Sequence, residues 1–422
     1  MRQTLRVIEH ERIQVGVPIP TTTGALRALT ITEFDALVRF DQGRPDRIFD
    51  VGHRTLKFRN QVGFLQVGEL GIEILPKVDR TASTDEDRGR WHDALVRMLR
   101  VAHRLPVRST TDALLARERG SLLDVFVELF LDEVERIARE GLVKTYRTEE
   151  SNLNSFKGRL VVREQIRKNL VHAERFYVER SVYDVNNPHN RVLAAALHAL
   201  GGMALPSILD SRRRAVANRF GGVNHRSYRS SDLHRIPLGR KTERYRLALE
   251  VARMILMNHT PRLRAGDADL LALVFDMNAL WESYVAIMLR RAVGSEYDVR
   301  TQESRPFWAA GRRHSQVRPD LVLRSKRPDG ETIVIDTKWK VPHDGRPDAG
   351  DLKQMFAYNE FFNCAASWLL YPTEKPDPKS IRGEFNGRDH RCGTAYLSAL
   401  SADPIAEIRA MMTSMEAGIL RT

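Results

Sequence analysis

Two carboxylates and a lysine stand at the ends of two short apolar runs, in a spacing suited to metal-dependent hydrolysis. Asp320 precedes the run Leu-Val-Leu, and Asp336 and Lys338 follow Thr-Ile-Val-Ile. Residues i and i+2 of a strand share a face, so Asp336 and Lys338 point the same way. The sequence Ser-Lys-Arg-Pro-Asp-Gly between the runs is a strong turn signal. A hairpin here brings Asp320 roughly opposite Asp336, and two carboxylates and an ammonium group converge at one end of it.

These groups suit the hydrolysis of a phosphodiester with Mg²⁺, for which Mn²⁺ is an expected substitute. Carboxylate oxygens bind the ion while open water positions remain for substrate phosphate and nucleophile. Lys338 would orient the attacking water or stabilise the developing negative charge. The pattern resembles the PD-(D/E)xK nuclease motif. Five Pro-Asp dipeptides occur in the chain, so the surroundings of the motif have to support this interpretation.

Three surrounding features favour the nuclease interpretation. Asp336 ends a buried-looking strand, where an isolated charge is costly unless it is paired or bound to metal. Gln354 and Tyr358 share one face of the next helix, as in the QxxxY element of a subset of these nucleases. Glu282 lies on an apolar helix face and is the expected third metal ligand, with Glu303 as the alternative. The opposing interpretation is a surface ion pair on the hairpin and a Glu282 that reaches solvent.

Hydrophobic periodicity predicts the elements that would position these groups. One helix is expected from about Gly266 to Arg291, with acidic residues in its first turn and arginines in its last. Strands are expected at Arg318 to Arg324, Thr332 to Trp339 and Ala366 to Tyr371, and a second helix at about Asp351 to Phe362. Helix, two strands, helix and strand predict an α/β domain.

In the upstream half of the chain, the sequence predicts short strands followed by helices. The strand-like segments are Leu5 to Ile8, Ile13 to Val17 and the alternating run from Phe64 to Lys77. Asp79 to Arg88 is expected to be a linker. Helices are expected at Trp91 to Ala102, from the N-cap Ser121 to just before Gly141, and after Asn187-Pro188, and a loop is expected at Gly221 to Asp232. The predicted fold class is multidomain α+β: a β-rich then helical N-terminal domain (1–150), a mixed basic middle region (151–260) and a C-terminal α/β domain of the PD-(D/E)xK restriction-endonuclease-like type (261–422).

The positive charge of the chain is concentrated in its middle. The 422 residues carry a net charge of +13, with a pI near 9.9. Residues 151–250 contain 19 Lys and Arg against 8 Asp and Glu, which leaves only +2 for the rest of the chain. Contact with nucleic-acid phosphates or with a partner protein is the functional interpretation, and a solvated basic face is the alternative. The residues predicted to make such contacts are Arg212, Arg213, Arg214 and Arg219.

Several classes of protein are disfavoured. The two cysteines, Cys364 and Cys392, are 28 positions apart, which argues against a disulfide framework or a cysteine zinc site and fits a reducing cytoplasm. The first residues are charged where a signal peptide is apolar, and no uncharged apolar run is long enough to span a membrane. No P-loop, GxSxG or HExxH motif occurs, so the chain itself is not expected to be a P-loop NTPase.

Longer stretches of the chain resemble the McrC family, the nuclease subunit of McrBC-type, modification-dependent restriction systems. The segments that carry the resemblance are Gly71 to Val78, Leu153 to Gln165, Asp184 to Leu193, Phe275 to Glu282, Arg318 to Leu323, Ile335 to Lys338 and Asp351 to Tyr358. Asp320, Asp336 and Lys338 match the family's catalytic motif position by position. Glu282, Gln354 and Tyr358 match less sharply defined positions.

The resemblance implies a division of labour between two proteins. McrC-like chains carry the nuclease site, while an AAA+ GTPase, McrB, forms a hexameric ring that recognises modified double-stranded DNA and translocates it. The N-terminal part of McrC-like chains enters or caps the ring and stimulates nucleotide hydrolysis. The expected function is therefore an Mg²⁺-dependent endonuclease subunit acting in defence against foreign DNA. Two alternatives stay open: a non-catalytic basic adaptor that activates the ring, and a stand-alone nuclease of repair or recombination.

Overall fold

The computed structural model describes most of the chain and divides it into two compact units. The described residues are 4–42, 47–67, 70–76, 85–102, 122–203, 205–224, 233, 236–260, 270–310, 313–328, 330–340, 342, 345–374 and 379–420. Unit 1 comprises Met1–Thr4, Phe64–Gly71 and Gly120–Leu273, and unit 2 comprises Leu5–Gly63, Ile72–Arg119 and Val274–Thr422. Neither predicted domain boundary, at residue 150 or at residue 260, coincides with this division.

The elements follow one another in a mixed α/β order. The strands are β1 (Thr4–Ile8), β2 (Arg12–Gln14), β3 (Pro18–Pro20), β4 (Leu26–Ala28), β5 (Phe49–Gly52), β6 (Thr55–Phe58), β7 (Gln61–Val67), β8 (Leu70–Leu75), β9 (Thr145–Leu153), β10 (Arg159–Leu160), β11 (Phe176–Asp184), β12 (His259–Thr260), β13 (Leu270–Asp276), β14 (Tyr297–Thr301), β15 (Arg305–Ala310), β16 (Arg313–Val317), β17 (Leu321–Ser325), β18 (Thr332–Thr337), β19 (Ala366–Thr373), β20 (Arg382–Glu384) and β21 (Arg391–Ser398). The helices are α1 (Ile31–Gln42), α2 (Asp85–Ala102), α3 (Leu122–Glu140), α4 (Val162–Asn169), α5 (Pro188–Gly201), α6 (Ser207–Ala217), α7 (Arg246–Asn258), α8 (Met277–Val293), α9 (Ala349–Phe362) and α10 (Pro404–Leu420). Within the described residues, no helix has the length and apolar character needed to cross a membrane.

The strands predicted near the N-terminus are present, with different bounds and with a helix among them. The strand predicted to reach Val17 ends at Gln14. Helix α1 was not predicted, although its start carries a capping box: Glu33 N donates to Thr30 Oγ1 at 3.3 Å, and Thr30 N donates to Glu33 Oε2 at 3.0 Å. Helix α2 begins at Asp85, so the last four residues of the predicted linker are helical. Ser121, the predicted N-cap of α3, lies outside the described residues.

The predicted helix from Gly266 to Arg291 is wrong in its first part. Leu270–Asp276 is strand β13, in which Leu271 pairs with His259 of β12, and helix α8 starts only at Met277. The side chain of Asp276 caps α8 by accepting a hydrogen bond from Ala279 N at 3.0 Å. An apolar run without a break looks alike in a buried strand and a buried helix, and the cap decides between them. The predicted first-turn acids lie outside the described residues.

Unit 2 contains a six-stranded sheet that carries the groups singled out from the sequence. Its strand order is β14-β17-β18-β19-β21-β20. The pairs β18–β19 and β19–β21 are parallel, and the other pairs are antiparallel. Every residue of the central strand β19 is buried, which explains its continuous apolar sequence. Helices α8 and α9 pack against β18, and α10 packs against α8 and β21. Core side chains of this sheet and of α9 include Val322, Val334, Leu369, Met355 and Phe362.

Unit 1 combines packed helices with a small antiparallel sheet. Helix α3 packs against α6 and α7, and α5 packs against the same two helices. Strands β9 and β11 pair along nine residues each, and β10 borders β11. Helix α5 starts as predicted, with Asn187 as N-cap and proline at the first position. Asn190 donates through Nδ2 to Val143 O at 2.9 Å and to Val185 O at 2.7 Å. It therefore joins the backbone before β9 to the backbone after β11.

A buried ionic group in unit 2 makes stability depend on pH. His92 Nδ1 lies 2.9 Å from Glu73 Oε1, and Arg6 Nε donates to Glu73 Oε2 at 2.8 Å. Burial lowers the pKa of His92, but the Glu73 carboxylate outweighs it, and the net pKa is raised above 6.5. Stabilisation from the protonated ring is fully present below the unfolded-state pKa and is lost as the pH rises through the raised folded-state pKa.

We therefore expect His92→Gln to destabilise the protein more at pH 6 than at pH 9. The ion pair removed is charged only at the lower pH, and a charge-assisted buried hydrogen bond is worth about 2 kcal/mol. Urea denaturation at pH 6, 7.5 and 9 measures the difference in free energy of unfolding. Exposed His53, changed to Gln, serves as the control in the same unit. A His92→Gln effect that is equal at all three pH values contradicts the prediction.

Candidate active site

The hairpin of β17 and β18 brings Asp320 and Asp336 to one edge of the six-stranded sheet. Leu321 pairs with Ile335, so the next position along each strand sets Asp320 opposite Asp336, as expected from the sequence. Asp320 Oδ2 accepts hydrogen bonds from Thr337 N and Thr337 Oγ1, both at 2.8 Å. Thr337, between Asp336 and Lys338, therefore fixes the Asp320 carboxylate.

Lys338 lies on the same side of β18 as Asp336 and joins three acceptors. Its Nζ is 2.7 Å from Asp336 Oδ2, 2.9 Å from Gln354 Oε1 and 3.3 Å from Asp351 Oδ1. The Gln354 oxygen accepts a hydrogen bond from the ammonium group, and the two carboxylates form ion pairs with it. Burial lowers the pKa of Lys338, but the carboxylates of Asp336 and Asp351 raise it further, so the net pKa is raised. Lys338 is held as a cation in a defined position.

Gln354 and Tyr358, the QxxxY pair, lie on α9 and extend this network. Gln354 Nε2 donates to Tyr358 Oη at 2.7 Å, and Tyr358 Oη donates to Arg318 O at 3.1 Å. The chain of hydrogen bonds runs from Lys338 through the helix to the backbone just before Asp320. These two side chains thus orient the lysine and tie α9 to the start of β17.

Glu282 reaches the same edge from α8 by way of a residue that was not predicted. Gln302 Nε2 donates to Glu282 Oε1 at 2.5 Å and to Asp320 Oδ1 at 3.3 Å, so one amide bridges the two carboxylates. Gln302 has a left-handed backbone with φ of 53°, and its N–H donates to Asp320 O at 3.0 Å. Strained backbone of this kind is concentrated at functional sites. Phe275, which lies within the helix predicted from Gly266 to Arg291, belongs instead to strand β13.

Glu303, the alternative third carboxylate, has a structural role. Both of its oxygens accept from Arg324 at 2.7 Å, in a two-pronged ion pair. Hydrogen bonding to Arg324 lowers the pKa of Glu303. A carboxylate with both oxygens engaged by a guanidinium is a poor ligand for an ion, so Glu282 is the better candidate of the two.

Burial raises the pKa values of two carboxylates at this edge, those of Asp336 and Glu282. Burial and the nearby charge of Asp320 raise the pKa of Asp336 to about 6, although Lys338 opposes the shift. Burial likewise raises the pKa of Glu282, and its hydrogen bond from Gln302 opposes the shift. Asp336, whose pKa is raised, faces a second carboxylate, that of Asp320, and such a pair has electrostatic energy to gain from a cation.

The donor set suits a hard divalent cation. Asp336 Oδ2 is buried and, among the described residues, receives no aligned hydrogen bond, although Lys338 Nζ is 2.7 Å away. Asp320, Asp336 and Glu282 together offer oxygen ligands of the kind Mg²⁺ prefers. Within the part of the chain that the structure describes, no three His, Cys, Asp or Glu side chains already stand close enough to hold a metal ion. The amide of Gln302 separates Glu282 from Asp320.

The four arginines predicted to contact nucleic acid or a partner differ in how they are engaged. Arg212 donates to Asp132 at 2.7 Å and to Glu135 at 2.9 Å, both on α3. Arg213 bonds to Asp210 at 2.8 Å and to a carbonyl of α5. Arg214 is largely exposed, with one contact to Asp210 at 2.5 Å. Arg212 and Arg213 therefore stabilise unit 1 through their own ion pairs.

Arg219, the fourth of these arginines, is exposed in a short 3₁₀ turn, Asn218–Phe220, after α6. With Arg214 it presents positive charge to solvent. The proposed contact with nucleic acid or a partner stays a prediction. Of the four arginines, Arg214 and Arg219 are the exposed ones and are the best candidates to make it.

Asp351 and Lys340 belong to the site and were missed from the sequence. Asp351 Oδ2 lies 2.7 Å from Lys340 Nζ, and its other oxygen faces Lys338. The signal for Asp351 was available, because positions 351, 354 and 358 share one helix face. No sequence pattern marks Gln302 as a site residue, because its position between Glu282 and Asp320 depends on its own left-handed backbone conformation.

Comparison with known proteins agrees with this architecture. Residues 56–372 match the family model described as McrBC 5-methylcytosine restriction system component. The chain belongs to this family. No curated protein sequence matches it.

Among solved structures, similarity to the McrBC family member from Thermococcus gammatolerans extends over nearly the whole chain. A chain of the half-complex from the tetradecameric assembly of McrB AAA+ hexamers with bound McrC gives a TM-score of 0.71 at 20% identity, covering 98% of this chain and 100% of that chain. A chain of the cryo-EM structure of the McrBC complex from the same organism gives a TM-score of 0.49 at 21% identity, covering 69% and 88%. The first of these matches shows that the two chains share a fold.

Proposed function

We propose that this McrBC-family chain is the Mg²⁺-dependent DNA endonuclease subunit of a modification-dependent restriction complex. The observation that carries the proposal is the meeting of Asp320, Asp336 and Lys338 at one sheet edge, with a desolvated carboxylate beside a fixed ammonium group. A buried carboxylate beside a second, half-buried one is costly for a merely structural hairpin. The fold class we assign to residues 261–422 is accordingly that of the PD-(D/E)xK nucleases.

Each side chain of the site has a distinct task in this proposal. Asp320 and Asp336, with Glu282, would hold a divalent ion that supplies charge neutralisation and an acidified bound water. Lys338, fixed by its three acceptors, orients the attacking water and stabilises negative charge on the phosphate oxygens. Gln354 and Tyr358 keep Lys338 in place.

The partner in this proposal is an AAA+ ring that resembles McrB. The Thermococcus structure contains McrB AAA+ hexamers with bound McrC, and the present chain shares that fold over nearly its full length. We infer that the chain cleaves modified double-stranded DNA when bound to a hexameric GTPase and that it stimulates nucleotide hydrolysis by the ring. Residues 1–150 are assigned to partner contact and residues 151–260 to DNA or partner contact.

Removal of the metal gives a direct test of this function. We expect the chain, mixed with its AAA+ partner, GTP and methylated DNA, to lose cleavage when a nuclease metal is withheld. GTP hydrolysis by the ring itself needs Mg²⁺, so the metal of the nuclease site is also tested on the purified chain without the ring, by calorimetric titration of Mn²⁺ into the parent and into the Asp320→Asn variant, which should bind it more weakly. Cleavage that continues in EDTA contradicts the proposal.

The same assay separates the alternatives. Efficient Mg²⁺-dependent cleavage by the purified chain without the ring supports a stand-alone nuclease. Stimulation of GTP hydrolysis with no cleavage under any metal supports the non-catalytic adaptor.

A further inference from the structure

We propose that the hairpin of β15 and β16 contacts DNA beside the scissile phosphodiester, with the indole of Trp308 packing against a base or sugar of the duplex. The proposal rests on the nuclease function given above, because it names a surface through which that nuclease would hold its substrate. It concerns residues of unit 2 that the candidate active site does not include.

The position of the hairpin connects it directly to the proposed catalytic edge. Among the strands that the structure describes, β15 and β16 pair only with each other and stand outside the six-stranded sheet. The chain leaves the sheet after β14, forms the hairpin and re-enters the sheet at β17. Residues before and after the hairpin meet there, because Gln302 N donates to Asp320 O at 3.0 Å. Trp308 lies three positions along β15 from Arg305 at the base, which corresponds to about 10 Å. We infer that a duplex whose phosphate lies at Asp320 also meets Trp308.

The exposure of the hairpin indicates that it has a binding partner. All residues from Pro306 to Ala310 are exposed, and so are Ser315 and Gln316 on the opposite strand. The exposed fractions of Phe307 and Trp308 are 54% and 57%. Two-stranded hairpins are marginally stable in water, and adjacent exposed aromatic side chains on one of them indicate a contact surface.

The base of the hairpin is nevertheless anchored. Arg305 Nη1 donates to Phe361 O at 2.5 Å, and the guanidinium lies 4.5 Å from the centre of the Phe362 ring. Phe307 packs edge-to-face on Phe361 with ring centres 5.7 Å apart. These contacts fix the hairpin to α9, the helix that carries Gln354 and Tyr358. Trp308 is therefore presented from a fixed base.

The charge of the segment favours DNA as the partner. Residues 305–318 contain four arginines and no acidic residue, whereas the other residues of 261–422 contain 19 basic and 22 acidic side chains. A local charge of +4 in otherwise slightly acidic surroundings is complementary to a polyanion. Aromatic side chains beside arginines are the combination that proteins use on unstacked bases and deformed grooves.

The test measures DNA affinity in a chain that does not cut. In the Asp336→Asn background, fluorescence anisotropy with an end-labelled methylated duplex compares the unchanged hairpin with Trp308→Ala, Trp308→Phe and Ser315→Ala. Ser315 faces Trp308 across the hairpin and is exposed, so it is the matched control. We expect Trp308→Ala to weaken binding roughly tenfold, because the indole contact with a base or sugar is lost. Trp308→Phe keeps a ring and retains most of the affinity, and Ser315→Ala changes nothing.

Salt and the ring provide two further measurements. The slope of log affinity against log salt stays unchanged in Trp308→Ala, since no charge is removed. Stimulation of the partner's GTP hydrolysis stays unchanged as well. Equal DNA affinity of Trp308→Ala and the parent overturns the proposal. Loss of ring stimulation with DNA affinity intact assigns the hairpin to the partner protein and overturns it too. Failure of the proposed nuclease function is seen separately, either as DNA cleavage by the Asp336→Asn chain or as no cleavage by the parent chain with the ring, GTP and Mg²⁺.

Discussion

Changing Asp336 to Asn is expected to abolish DNA cleavage while leaving stimulation of the AAA+ partner intact. The substitution keeps the shape of the side chain but removes the negative charge opposite Asp320 that a divalent ion would neutralise. Loss of roughly 4 kcal/mol of transition-state stabilisation corresponds to about a 10³-fold lower rate. Single-turnover cleavage of methylated DNA and GTP hydrolysis by the ring, measured on the same preparation, give the two readouts.

The stability of the Asp336→Asn variant distinguishes lost chemistry from misfolding. The folded-state pKa of Asp336 is raised to about 6, from an ordinary value of 3.8. Ionisation of this carboxyl therefore destabilises the folded protein, and its stability falls as the pH rises from about 4 through 6. We expect the variant to be more stable than the parent at pH 8, with the difference shrinking toward pH 4.

Asp298→Asn is the matched control for this variant, because Asp298 is a half-exposed carboxylate on β14 of the same sheet, paired with Arg300. It should cleave at the parental rate. Cleavage at the parental rate by the Asp336→Asn variant would contradict the assignment of the site.

Changing Lys338 to Met is expected to slow cleavage by about 10²- to 10³-fold, the range found when one oriented donor of a catalytic site is removed. Met fills a similar volume without the ammonium group. The carboxylates of Asp336 and Asp351 then lose the cation that lies 2.7 Å and 3.3 Å from them. We also expect a stability loss of about 2 kcal/mol at pH 8, smaller than for a fully buried pair because Lys338 is partly exposed.

The pH dependence of the Lys338→Met effect identifies its cause. Without the ammonium, the pKa of Asp336 rises further, so protonation at lower pH relieves the repulsion between the two carboxylates. The stability difference from the parent should shrink between pH 8 and pH 5. Lys353→Met, an exposed lysine beside Gln354 on α9, is the control and should match the parent in cleavage and stability. A Lys338→Met chain that cleaves at the control rate contradicts the role given to this residue.

The parts of the site that alternate along a strand or repeat along a helix were predictable. Asp336 and Lys338 share a face because side chains alternate, and Asp320 faces them because the turn between the strands is short. Gln354 and Tyr358 bond to each other because they are one helical turn apart. Local geometry fixes each of these relations, so the sequence alone was sufficient.

Other parts depend on contacts that no local pattern encodes. The bridge of Gln302 between Glu282 and Asp320 requires a left-handed backbone and three elements in place. The sequence predicts helix over β13 because its unbroken apolar run has no period, and only the capping side chain of Asp276 marks where the helix starts. Helix α1 lies among short strands, and its one local signal is the capping box of Thr30 and Glu33.

The division of the chain into two units has a consequence for the order in which the protein is made. Unit 2 takes its chain from three separated segments, and the last of them begins at Val274. Trp339, the residue after the proposed catalytic Lys338, donates through Nε1 to Glu9 Oε1 at 2.6 Å. Glu9 directly follows the first strand, so the first and last segments of unit 2 meet beside the proposed site. On the ribosome, Gly120–Leu273 emerges before the sheet that carries the carboxylates exists. A growing chain therefore lacks the proposed nuclease site until the strands of that sheet have been made.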